Sequence, residues 1–373
     1  MLSVHILNVG HGDSIVLEYR GDKDEPAFAV IDSNCLANEV PSALKKLSSL
    51  GANSLSFAAI THPHADHYMG MGSILDRYQN KIRNFYTFPI ERAKGHVKGI
   101  ATRYLKAMND SDNETINAHS FELIKIIKMA SEKKAGDWDM PTGQYSQLPI
   151  VGFSGAELYA ILPPAKVKGD VYAKFVKGEI APEQEKLNEL SLAFILRYKG
   201  HSIVLGGDGT YSNWMFLKKR LGSFGVKSQA VAAKLPHHGS KIDCNPLVID
   251  FLFDGSNKTE AFPIACISAD GKSHPSMDVI YDMVGKNIKP YCTNLTTVCG
   301  ANTASNLHAL PQLDPVLARL VNSIATDTDT KQPCQGDITI TIDDAGSVSV
   351  STQHKMPCAF RGDYQYISSM FTQ

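Results

Sequence analysis

The stretch Thr61-His62-Pro63-His64-Ala65-Asp66-His67 constrains this chain more than any other. Three histidines and an aspartate fall within six positions, a density that a polar surface turn has no need for. His62 and His64 lie two apart, so on extended chain they point the same way. Asp66 and His67 follow where the chain can turn into a helix. Imidazole and carboxylate are the donors that a borderline divalent metal accepts. The preceding run, Leu55-Ser56-Phe57-Ala58-Ala59-Ile60, reads as a short buried strand. The donors are therefore expected on the loop leaving a strand's carboxyl end, where open α/β sheets place their sites.

Two later stretches have the same form. His201-Ser202-Ile203-Val204-Leu205 reads as the hairpin partner of the strand before it, read as residues 188–198, and ends in Gly206-Gly207-Asp208-Gly209. Glycines let the backbone crowd an ion, so Asp208 can reach a metal pair. Val231-Ala232-Ala233-Lys234-Leu235-Pro236 then reads as a strand that delivers His237-His238-Gly239-Ser240. Adjacent histidines at a strand end cannot share one direction, so one can ligate while the other faces substrate or supports the ligands. The residues alone do not decide which. A further strand at 265–270 leads to Gly271-Lys272-Ser273-His274-Pro275-Ser276, which places His274 at a neighbouring carboxyl end.

The His-x-His-x-Asp-His stretch resembles the signature of the metallo-β-lactamase fold superfamily. Asn8-Val9-Gly10-His11-Gly12-Asp13-Ser14 and Lys234-Leu235-Pro236-His237-His238-Gly239-Ser240-Lys241 are similar to motifs of its ComEC-type (competence protein) domains, and His274-Pro275-Ser276 has a counterpart there too. Asn8 and His11 depart from that pattern, which has aspartate and glutamine. The resemblance covers about residues 2–290. It implies an α/β (α+β) four-layer αββα sandwich, two sheets face to face with helices outside. Strand–turn–strand openings near residues 2–19 and 190–205, each followed by alternating helices and strands, agree with that architecture.

The resemblance also implies a ligand set. His62 and His64 hold one ion, Asp66, His67 and His238 the other, and Asp208 bridges. The superfamily usually supplies one more histidine between Asp66 and Asp208. His96 and His119 are the candidates here, neither at a convincing strand end, so that ligand is read as absent. One or two zinc ions suit the histidine-rich donors, and manganese tolerates the carboxylates. The implied function is metal-dependent hydrolysis, phosphodiester cleavage by a metal-bridged hydroxide, with Asp66, His237 and His274 as the catalytic residues. The expected substrate is nucleic acid or a small phosphodiester. Other readings are hydrolysis of another small ester, a thioester or a lactam, or a non-catalytic binding or assembly module that retains the fold.

Composition bounds the rest. A formal net charge of −1 announces no nucleic-acid or membrane partner in bulk. Residues 98–134 read as helix with seven lysines and arginines, diluted by acids, and so as a solvated face. The seven cysteines are scattered, without a C-x-x-C pair, which points to free thiols in a reducing, cytoplasmic setting. The opening residues lack the basic region of a leader peptide, and no window is apolar enough to span a bilayer. Gly-x-Ser-x-Gly, Walker and Rossmann motifs are absent. Residues 1–290 are expected to form the hydrolase domain. Residues 291–373 are expected as an extension packed on it, with a terminal β-hairpin turning at Asp343-Asp344-Ala345-Gly346.

Overall fold

The computed structural model describes residues 1–21, 25–36, 39–88, 114–132, 134–139, 141, 143, 145–180, 185–223, 230–253, 263–270, 274–295, 334–355, 358 and 360. Two mixed sheets face each other. The first contains β1 (Leu2–Ile6), β2 (Ile15–Tyr19), β3 (Ala27–Ile31), β4 (Leu55–Ala59), β5 (Ile82–Tyr86) and β6 (Asp137–Asp139). The second contains β7 (Ser146–Leu148), β8 (Ala156–Leu162), β9 (Ala193–Tyr198), β10 (His201–Leu205), β11 (Ala230–Lys234), β12 (Ile264–Ile267) and β13 (Lys289–Cys292). The hairpin β14 (Ile338–Ile342) and β15 (Val348–Thr352) joins the first sheet through β1.

Alternation decides which face each strand buries. Leu2, Val4 and Ile6 point between the sheets and meet Ile338, Ile340 and Ile342 in the same layer, while Ser3 and His5 point to the other face. Each fully buried aliphatic of this kind stabilises the fold by roughly 1.5–3 kcal/mol. A slip of one residue would turn all of Leu2, Val4 and Ile6 outward, so the register is firmly specified.

The outer layers are helical. The first sheet is covered by α1 (Ser42–Ser49), α2 (Ala65–Tyr68), α3 (Met71–Arg77) and α4 (Glu114–Ser131), whose Leu47, Ile74, Leu123 and Ile126 pack on Val16, Val30 and Phe85. This core also takes in Val171, Tyr172 and Phe175 of α5 (Ala165–Lys177). The second sheet is covered by α6 (Tyr211–Ser223), α7 (Pro246–Phe253) and α8 (Met277–Gly285), with Trp214, Val248 and Ile280 against Val204, Ala233 and Ala265. The four-layer αββα sandwich is therefore observed. No helix among the described residues is long and apolar enough to cross a membrane.

Several boundaries differ from the sequence reading. Residues 165–187, expected as exposed loop or loose helix, include the 13-residue helix α5, because Val171 and Phe175 recur one turn apart and find a core. The strand expected from Asn188 begins at Ala193, since Glu185–Leu190 is a 3₁₀ turn. Of the basic stretch 98–134, α4 begins at Glu114, and residues 98–113 lie outside the described residues.

The topology sets up the site. Strands β3, β4 and β5 run parallel, as do β10, β11 and β12, so their carboxyl ends collect at one edge of the sandwich.

Candidate metal centre

The loop after β4 carries His62 and His64, and α2 carries Asp66 and His67. Backbone bonds fasten this loop to its neighbours: Leu192 N–H donates to Thr61 O at 2.9 Å and Asp13 N–H to Asp66 O at 3.2 Å. Gly12 has φ 111° and passes so close to Asp66 that any Cβ would run into its carbonyl oxygen. Only glycine fits that approach.

Asp208 follows β10 in a turn whose Gly207 has φ 51°. Its N–H donates to Ser191 Oγ at 2.9 Å. The histidine doublet occupies a tight turn after β11, with His237 at φ 44° and His238 at φ 53°. Two successive non-glycine residues in the left-handed region are costly, and such strain collects where side chains must be aimed. The turn sends the two rings different ways. His238 Nδ1 lies 3.0 Å from Ser268 O, which fixes Nδ1 as the donor and turns Nε2 inward. That Nε2 is 3.6 Å from both Asp66 Oδ2 and Asp208 Oδ2. His237 Nδ1 instead lies 2.6 Å from Asp243 Oδ2, and its Nε2 lies 4.0 Å from Asp208 Oδ2.

Asp66, His67, Asp208 and His238 thus offer four ligand atoms within 4.8 Å of one another. Nε2 of His67 and Nε2 of His238 are buried with no hydrogen-bond partner among the described residues, and Oδ2 of Asp208 lies 3.4 and 3.6 Å from them. Orphaned buried polar atoms are costly, and a divalent cation would satisfy them together. The donor set therefore fits a metal. His62 Nε2 is 3.9 Å from Asp208 Oδ2 and 3.1 Å from His64 Nδ1, so this pair adjoins the group through Asp208. His274 stands further out, its ring 5.7 Å from that of His237 and 6.5 Å from that of His238. His96 and the segment Gly271-Lys272-Ser273 lie outside the described residues, and His119 lies on α4.

Electrostatics follow from this crowding. Burial opposes protonation of His67, yet the charges of Asp208, Asp66 and Asp32 outweigh it and raise its pKa well above 6.5. Burial, with His67 and His64 alongside, pushes His62 well below 6.5. Asp66 and Asp208 are buried, which would raise them, but the surrounding imidazoles hold both well below the ordinary carboxylate value. The centre prefers positive charge.

Residues that the sequence reading did not cast as supports surround the donors. Asp32, after β3, accepts from Thr61 N–H and Thr61 Oγ1, each at 2.7 Å, and meets His67 Nδ1 at 2.8 Å. It fixes the His67 tautomer and turns Nε2 toward the donor group, the support that metal-binding histidines require. Lys234 is fully buried, paired with Asp13, and donates to Gly207 O at 3.1 Å. Asp243 also accepts from Tyr211 N–H at 2.8 Å, which locks it against His237. Asn188 places Nδ2 3.5 Å from His237 Nε2. The turn 10–14 contributes a side chain: His11 Nε2 is 3.1 Å from Asp66 Oδ2. The sequence signals were slight, a lysine ending an apolar strand and acids just after strand ends. No disulfide joins the cysteines among the described residues, and none of them belongs to the donor group.

No protein-family model and no curated protein matches this chain. Solved structures similar to it include the metallo-β-lactamase fold protein YhfI from Bacillus subtilis, 9% identical over 78% of this chain and 96% of that one, with a TM-score of 0.38. Another is zinc-bound PqqB from Methylobacterium extorquens, 10% identical over 78% and 98%, TM-score 0.39. A third is a diphosphatase of the PhnP family, 12% identical over 84% and 92%, TM-score 0.36. Likeness at this level carries no argument about ligand or reaction.

Proposed function

We propose that this chain is a metal-dependent hydrolase of the ComEC-type branch that cleaves phosphodiester bonds. The observation that carries the reading is the convergence of Asp66, His67, Asp208 and His238, with two inward-facing imidazole nitrogens that the protein leaves unsatisfied. These four would hold one divalent cation, zinc by donor type or manganese, and His62 and His64 would hold a second through Asp208. A bound cation supplies Lewis acidity and an activated water.

The chain's own residues do the rest. Asp32 and Ser268 O fix the tautomers of His67 and His238, so that both present Nε2 to the centre. Burial works against a charged His237, but the Asp243 hydrogen bond and the Asp208 charge outweigh it and raise its pKa above 6.5. The proton-carrying form of His237 is thereby favoured, and the ring faces the centre through Nε2. It can give that proton to an alkoxide leaving group, the poor leaving group that distinguishes phosphodiesters from activated esters. His274, its ring 5.7 Å from that of His237, would meet the substrate beyond it.

The test is turnover of bis-p-nitrophenyl phosphate, alongside a thioester and a lactam. The reading requires phosphodiester turnover that a chelator stops and zinc or manganese restores. Turnover of the thioester or lactam alone would reassign the reaction, and none with any metal would make the chain a binding module.

A further inference from the structure

Two loops at the edge of the sandwich, one from each sheet, hold the donors in place. The turn 8–14, after β1, grips Asp66 by side chain and backbone. His11 Nε2 lies 3.1 Å from Asp66 Oδ2, and Asp13 N–H donates to Asp66 O at 3.2 Å. The segment 268–270, after β12, holds the other side. Ser268 O lies 3.0 Å from His238 Nδ1, and Asp270 Oδ1 accepts the His274 N–H at 2.9 Å.

Asn294, just past β13, joins the two loops. Its Nδ2 donates to Ala269 O at 2.9 Å, and its Oδ1 accepts from Asn8 Nδ2 at 2.8 Å. Thr293 Oγ1 accepts the Ala269 N–H at 3.0 Å, so both backbone groups of Ala269 are bound by adjacent side chains. Thr293 and Asn294 are each 1% exposed, where a lost partner would leave a polar group orphaned. Asn8 is used as fully: its N–H donates to Asp337 Oδ1 at 2.8 Å, and its Oδ1 accepts the Gly10 N–H at 3.2 Å. An aspartate at position 8 would turn an acceptor on Asn294 Oδ1, so this clamp needs an amide there. The C-terminal segment closes over it, with the Cys334 and Gly336 N–H groups on Thr293 O at 3.1 and 3.0 Å.

The consequence is a fixed gap. His238 Nε2 and Asp66 Oδ2 stand 3.6 Å apart although they are held from different sheets. A tetrahedral zinc at about 2.0–2.2 Å from each donor needs its donors about 3.3–3.6 Å apart. Ligand distances at such an ion are held to about 0.2 Å. An amide bonded to both loops sets that gap before any ion arrives. We propose that Asn294 is a positioning residue for the centre, spacing Asp66 and His238 through the Asn8 turn and the 268–270 loop. The role presupposes the reading that the four donors hold a cation.

The experiment titrates cobalt(II) into full-length protein stripped of metal, against a competing chromophoric chelator. The visible absorption of the bound ion reports its ligand geometry. Asn294→Ala and Asn8→Ala are each expected to weaken cobalt binding about tenfold or more, as loss of a ligand's support does, and to change that absorption. One hydrogen bond is common to both, so the double variant is expected to fall short of the product of the two losses. Ser3→Ala removes the 3.2 Å contact of Ser3 with Thr341 near the start of β1 and is expected to bind cobalt like wild type. Thermal melts by circular dichroism confirm folding, and the half-buried Asn8 keeps the test decisive if Asn294→Ala does not fold. Wild-type affinity and absorption in the folded variants, losses that multiply in the double variant, or an equal loss in Ser3→Ala overturns the proposal. Cobalt binding that depends on Asn294 in a protein without phosphodiester turnover would remove the reaction and keep the clamp. Turnover with binding indifferent to Asn294 would do the reverse.

Discussion

Lys234→Met tests how the floor of the centre is held. Lys234 is fully buried, and its ammonium is paired with Asp13, donates to Gly207 O at 3.1 Å and lies 3.9 Å from Asp208 Oδ1. At an effective dielectric near 20, the attraction to Asp208 alone is about 4 kcal/mol before the cost of removing both charges from water. Methionine keeps the volume and removes the charge, which strands Asp13 in a site that is 1% exposed. Breaking a buried pair from one side costs about 3–5 kcal/mol. Urea denaturation in EDTA measures this without the contribution of bound metal. The expected loss is about 3–5 kcal/mol, a large share of the roughly 5–15 kcal/mol that a folded protein has. Asp13→Leu added to Lys234→Met removes both charges and is expected to recover at least about 1 kcal/mol. A Lys234→Met protein within about 1 kcal/mol of wild type, or a double variant as weak as the two losses added together, would refute the reasoning.

Three further outcomes follow from the same geometry. His238→Ala is expected to lose metal, because its Nε2 belongs to the donor group, whereas His237→Ala keeps metal and loses turnover of a dinucleotide, whose alkoxide needs the proton, by about 10²-fold; metal analysis beside kinetics separates them. Asp243→Asn leaves the ring of His237 in place but no longer favours its charged form, so kcat is expected to fall with KM little changed and the alkaline limb of the pH–rate profile to move to lower pH. At the far side of the first sheet, burial alone would raise Glu18, but hydrogen bonds from His5 and Arg20 hold its pKa below 4.5. That extra stability is present above 4.5 and is lost as pH falls through the lowered pKa, so Glu18→Gln should be less stable than wild type at pH 7 by about 1–3 kcal/mol, the gap closing in acid denaturation series.

The legible parts of this chain were those where residue type alone carries information. The histidine stretch after β4 and the glycine-flanked Asp208 announce themselves by composition, and the alternation of Leu2, Val4 and Ile6 or of Ile338, Ile340 and Ile342 announces strands. The supports of the site were not legible, because their partners lie far along the chain: Asp32 is 35 residues from His67, and Asp13 is 221 from Lys234. A lysine in sequence reads as surface, and only the pairing with Asp13 keeps Lys234 inside. The doublet posed a different problem. Side chains on a strand alternate, but His237 and His238 sit at positive φ, where no period says which way a ring points. Strands β6 and β7 have three residues each, too few to show alternation. Asn188 reads as the start of a strand because apolar residues follow it, yet its amide is drawn into a 3₁₀ turn beside His237.

The central claim is that these side chains bind a cation in order to hydrolyse a phosphodiester. Asp208 stands within 4.0 Å of His62, His67, His237 and His238, so it tests the whole centre at once. Metal content and bis-p-nitrophenyl phosphate turnover, measured on the same preparations of wild type and Asp208→Ala, give the most direct answer. Wild type is expected to hold about one to two equivalents of zinc or manganese and to hydrolyse the ester, and Asp208→Ala to lose both metal and turnover. Hydrolysis by Asp208→Ala at the wild-type rate would contradict the account.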